Sequence, residues 1–159
     1  MADLVTQITE SVELNGSTRG STNVSITQEI DGVVERILTS FASTVTTIAT
    51  FASQPSSSPN AIDVDRTKYV RVTNLDDVTS VNLQIVGNNT NTILLPPKGS
   101  FIINGAFSIF AGSSTSAAGR PTQSIVTVRV QNEDKALNAN IELFVGISAY
   151  VAPEPPAEK

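Results

Sequence analysis

The chain has no cysteine, no histidine and no tryptophan. Without cysteine there can be no disulfide, thiol nucleophile or thiolate metal site. Without histidine, the side chain that most often moves protons near neutral pH is missing, and a Ser-His-Asp arrangement is impossible. Lysine can substitute as a base, but Lys68, Lys98, Lys135 and Lys159 all lack the S-x-x-K spacing of a serine–lysine dyad. Six Phe and two Tyr offer little aromatic surface for stacking a sugar ring. No Gly-rich segment has the spacing that cradles phosphate.

Charge is also sparse. Charged residues make up 16% of the chain, against about 25% in an ordinary globular domain, so Ser, Thr and Asn must cover much of the surface. The net charge is −5, and no two of the ten basic residues are adjacent. Phosphate backbones are held by clustered Lys and Arg, so no nucleic-acid interface is expected. No apolar run approaches the ~18 residues of a membrane span. The start, Met1-Ala2-Asp3-Leu4, lacks the basic and apolar regions of a signal peptide. Synthesis in a cytoplasm is expected, with no cofactor, no metal and no membrane contact.

What the sequence does have is alternation. Val81, Leu83 and Ile85 form one period-2 row, and Ile141, Leu143, Val145 and Ile147 another. Val126, Val128 and Val130 form a third, with Thr127 and Arg129 on the opposite face, and Val24, Ile26 and Ile30 suggest a fourth. Such rows are half-buried strands. Asn15-Gly16, Asp31-Gly32, Gly87-Asn88 and Asn104-Gly105 are turn dipeptides, because Asn and Gly tolerate positive φ. Strands are predicted at 4–14, 23–30, 33–41, 44–52, 67–74, 79–86, 91–95, 100–104, 107–111, 123–131 and 139–149. Val34, Leu38, Phe41, Val45 and Ile48 also fit a helical stripe capped by Asp31. The Thr and Val between positions 44 and 50 crowd a helix and favour strands there.

The predicted fold is all-β: an antiparallel β-sandwich, jelly-roll or Ig-like, with an N-terminal strand or hairpin segment and an extended Pro-rich C-terminal arm. Residues 1–53 form the N-terminal β segment, 54–60 a Pro/Ser linker, 61–150 the main sandwich and 151–159 the arm. Residues 113–122 read as a second loop.

The candidate chemical groups are few. Asp63 and Asp65 would share one face of a strand, and Asp76 and Asp77 fall in a turn. Paired carboxylates can hydrolyse glycosides, but a strand edge and an Asx turn account for these pairs more simply. Asp63-Val64-Asp65 has too few oxygens, and no following Gly, for a calcium loop. Asn15-Gly16-Ser17, Asn23-Val24-Ser25 and Asn88-Asn89-Thr90 match glycosylation sequons, which carry no weight without a signal sequence. Phe101, Phe107, Phe110, Phe144 and Tyr150 read as packing between sheets rather than as a ligand pocket. No catalytic, cofactor-binding or metal-binding residue is assigned.

Three stretches together resemble small structural proteins of tailed bacteriophages, especially phages of marine bacteria and cyanobacteria. Residues 8–23 read as strand, Asn-Gly turn and strand. Residues 68–77 read as a strand entering an Asp-rich turn, and residues 141–149 as a closing strand. The resemblance implies a non-enzymatic virion component present in many copies. The expected role is a capsid decoration or cement protein that contacts the major capsid protein and copies of itself. The alternative is a tail or tail-fibre component that binds a host receptor or glycan.

Overall fold

The computed structural model describes residues 2–53, 58, 60–87, 90–104 and 125–149, with the side chains of 19–24 set aside. The strand predicted at 107–111, the loop at 113–122, most of the linker and the C-terminal arm lie outside the described residues. So do Phe107, Phe110 and Tyr150.

Eleven strands form three sheets among the described residues. Strands β1 (Ala2–Leu14) and β2 (Ser17–Ile30) make an antiparallel ribbon closed at Asn15 and Gly16. Both turn residues have positive φ, 54° and 74°, as a two-residue type I′ turn requires. The remaining strands are β3 (Gly32–Ser40), β4 (Val45–Ala52), β5 (Ile62–Asp63), β6 (Thr67–Asn74), β7 (Val81–Val86), β8 (Thr90–Leu95), β9 (Ser100–Asn104), β10 (Thr127–Asn132) and β11 (Ala139–Ile147). One sheet has the order β3-β11-β6-β9 and the other β5-β4-β10-β7-β8. The helical alternative around Val34–Ile48 is replaced by β3 and β4. Both sheets draw on chain from either side of residues 54–60, since β3 pairs with β11 and β4 with β10.

The core lies between these two sheets. Val70 and Val72 of β6 and Ile141, Leu143 and Val145 of β11 face Val81, Leu83 and Ile85 of β7 and Val128 and Val130 of β10. The rows on β7 and β11 therefore become buried faces, whereas the row expected at Val24, Ile26 and Ile30 does not, since Ile26 on the β1–β2 ribbon is exposed. Val126 departs from its predicted row. It precedes β10, its backbone bridges Val86 and Phe51, and its side chain is half exposed. Ile125 is buried instead. A bulge between β10 and β4 brings two successive residues, Ile48 and Ala49, into the core. The edge strand β3 places Arg36 beside Leu143 on the core-facing register, a charge that discourages further strand pairing.

Six connections pass between the two sheets: β3 to β4, β5 to β6, β6 to β7, β8 to β9, β9 to β10 and β10 to β11. Two are built alike. Asn74 ends β6 and Asn132 ends β10, and both are fully buried. The Asn74 amide nitrogen donates to the carbonyls of Thr79 (2.7 Å), Pro96 (3.2 Å) and Leu95 (3.3 Å). That of Asn132 donates to Leu137 (2.9 Å) and Ser40 (3.1 Å). Each Asn side-chain oxygen accepts from the backbone N–H of the Asp two residues on. Each Asp, in turn, accepts two backbone N–H groups. The neighbouring turns match as well, because Ser43 and Lys98 both have positive φ and donate their N–H to Asp134 and Asp76 carbonyls.

Candidate functional site

The two outer faces of the sandwich differ in chemistry. Strand pairing puts Asn82 and Gln84 of β7 beside Arg129 and Gln131 of β10 on the outside of the five-stranded sheet. Thr47 of β4 and Thr92 of β8 extend this polar row on either side. The Gln84 amide donates to Gln131 at 2.8 Å, and that of Asn82 donates to Glu133 at 2.6 Å. The Arg129 Nε and Thr127 Oγ1 atoms are buried there without a partner, and Leu94 and Val45, opposite Asn82 and Gln131, are exposed to 64% and 52%.

The outside of the four-stranded sheet is partly apolar. Register sets Phe144 of β11 between Glu35 of β3 and Arg71 of β6, and Gly146 between Val33 and Tyr69. Tyr69 meets Phe144 edge to face, with centroids 6.0 Å apart. The Arg71 guanidinium lies 5.4 Å from the Phe144 ring centre and reaches Glu142 at 2.7 Å. Around this centre, Val33 and Ile37 on β3 and Ile102 on β9 are exposed, Ile37 to 66%. A central aromatic and arginine group flanked by accessible aliphatics matches the composition of protein interfaces. Phe144 thus lies on an outer face rather than between the sheets, whereas Phe101 packs against the core as expected.

The carboxylates singled out in the sequence serve local structure. Asp63 ends β5, and its carboxylate accepts the backbone N–H of Asp65 at 3.1 Å in an Asx turn. Asp77 pairs with Lys98 at 2.9 Å in the open. Asp76 is held below the usual carboxylate range, chiefly by the backbone N–H groups of Thr79 and Val78. Asp134 is lowered in the same way by those of Ala136 and Leu137. Among the described residues, no group of three or more His, Cys, Asp or Glu is placed to hold a metal.

Two features escaped the sequence reading. One is the duplicated corner. Its signal is the pattern V-R-V-x-N-x-D, in which Val70, Arg71, Val72, Asn74 and Asp76 recur as Val128, Arg129, Val130, Asn132 and Asp134. The other is the outer-face cluster. Tyr69, Arg71, Glu142 and Phe144 lie on two distant segments, and only pairing of β6 with β11 brings them together.

No protein-family model matches the chain, and no curated protein is found similar to it.

Proposed function

We propose that the chain is a structural subunit of a tailed-bacteriophage particle, a capsid decoration or cement protein that acts through protein–protein contacts and catalyses no reaction. The observation that carries this reading is the accessible aliphatic and aromatic chemistry outside the four-stranded sheet. Val33, Ile37 and Ile102 are displayed there on a rigid two-sheet frame. Large exposed side chains in one such region favour association. Glu35, Arg71 and Glu142 lie among them, with Arg71 and Glu142 paired to each other.

Topology supports the same reading. Within the sheets, β3-β11-β6-β9 faces β4-β10-β7-β8, and consecutive strands alternate between them except at β7 and β8 once the short β5 is set aside. We read this as a jelly roll, an architecture common in viral capsid proteins and also found in lectins and cupins, so it raises the expectation without deciding it. In this reading the outer face of the four-stranded sheet meets the major capsid protein, and the polar face of the five-stranded sheet points to solvent.

The test is copurification. Particles of the phage encoding this chain should contain it in a fixed ratio to the major capsid protein after density-gradient purification. Its absence from gradient-pure particles would overturn the reading. Its presence at a few copies per particle would favour the tail or tail fibre instead.

A further inference from the structure

The β1–β2 ribbon has two unlike faces. Register puts Leu4, Ile8, Val12 and Leu14 of β1 on the same side as Ile26 and Ile30 of β2. The opposite side carries Asp3, Gln7, Thr9, Ser11 and Glu13 with Ser25, Thr27 and Glu29, and Val5 is its one large apolar residue. The irregularity in pairing after Glu10 lies on β2, so β1 keeps its alternation through Val12 and Leu14. Thr6 and Glu10 of β1 and Gln28 of β2 interrupt the apolar side.

Among the described residues, only the base of the apolar side is covered within the chain. A Cβ built on Gly146 would lie 3.3 Å from both Leu4 and Ile30, so the ribbon rests closely on β11 there. Further out, Ile8 (43%), Ile26 (38%), Val12 (55%) and Leu14 (53%) stand in water. A lone two-stranded ribbon is marginally stable at best, and one with an exposed apolar side is a surface that calls for a partner.

We infer that the apolar side of this ribbon packs against the same side of the ribbon in a second copy of the chain. Each copy offers one apolar and one polar side, so apposed copies hide the first and keep the second wet, as a self-complementary contact requires. The size suits a weak contact. Beyond the covered base, residues 6–14 of β1 at ~3.4 Å each give a free length of about 31 Å and, with two strands, a width of about 10 Å. That is a projected face of roughly 310 Å² per copy. Accessible area exceeds projected area because side chains stand proud of the sheet. Two apposed faces therefore lie in the range below ~1,200 Å² that weak, concentration-dependent contacts bury. The sandwich surface is not needed for this contact. The inference adds a self-association surface to the proposed assembly role, and it is tested without a capsid, so the two can fail separately.

The experiment is light scattering on the full chain from micromolar to ~200 μM, compared with Ile8→Ser/Val12→Ser and with Ile37→Ser on the sandwich. The wild type and Ile37→Ser should give at least twice the monomer mass. The double variant should be monomeric while its sandwich unfolds with an unchanged midpoint. Should the double variant fail to fold, Val12→Thr supplies the readout. It exchanges a buried methyl for a hydroxyl on each copy and should raise the dissociation constant roughly tenfold. A wild-type chain that stays monomeric would overturn the inference. So would an oligomer unaffected by the ribbon changes, or one dissociated by Ile37→Ser alone.

Discussion

Asn74 and Asn132 hold equivalent corners of the sandwich, each fully buried and each tying its own turn to the end of a strand from elsewhere in the chain. The side-chain amide of Asn74 reaches Leu95 at the end of β8, and that of Asn132 reaches Ser40 at the end of β3. Both corners cross from one sheet to the other, so each amide joins three segments, beside the backbone bonds from Lys98 to Asp76 and from Ser43 to Asp134.

Asn74→Ala and Asn132→Ala should each destabilise the fold by about 2–4 kcal/mol, because truncation leaves buried carbonyls without a donor. Urea unfolding checks this. The two losses should be similar. An Asn74→Ala protein as stable as the wild type would mean that the corner is held without the amide, by its backbone bonds and packing.

The corners also set a pH dependence. Asp76 and Asp134 have lowered pKa values in the folded state because backbone N–H groups favour their charged forms. The unfolded chain therefore binds protons first as pH falls. Stability contributed by these groups is complete above the unfolded value near pH ~4 and is lost as pH drops through the lower folded values. Asp76→Asn and Asp134→Asn retain an oxygen acceptor but do not titrate. Each should flatten the fall in thermal midpoint as pH drops below about 4.

Much of this framework was legible in the sequence. The strands at 67–74 and 100–104 coincide with β6 and β9, because β-branched and aromatic residues run up to Asn74 and Asn104 there. The Asn15-Gly16 turn was equally clear, since only such residues adopt positive φ at both positions cheaply. The beginning of β2 was less clear. Residues 17–22 are Ser, Thr, Arg and Gly with no apolar alternation, so the strand was placed from 23, although it starts at Ser17. Strand β5 has two residues and leaves no periodic trace. Val126 fitted the pattern of its neighbours but precedes the regular strand, where parity no longer fixes direction. The outer-face cluster was hidden because alternation tells which residues share a face of one strand, not which strand lies beside it.

At the centre of the core, Leu143 on β11 is fully buried among residues of both sheets. Leu143→Ala should cost about 2–5 kcal/mol through lost transfer energy and the cavity left behind. Chemical denaturation should show a lower midpoint with an unchanged slope.

On the outer face, Arg71 and Phe144 should be coupled. A double-mutant cycle of Arg71→Met and Phe144→Leu should give an interaction of about 0.5–1 kcal/mol, since the guanidinium is only partly withdrawn from water. The Arg71–Glu142 pair is also partly exposed, so Glu142→Gln should cost no more than about 1 kcal/mol.

The assembly role is tested most directly by sedimenting the chain with capsids built from the major capsid protein encoded alongside it, comparing wild type with Ile37→Asp. The account predicts saturable binding of the wild type at a fixed ratio to capsid protein, with Ile37→Asp folded but at least tenfold weaker. A wild-type chain that remains in the supernatant, or an Ile37→Asp variant that binds equally well, would contradict it.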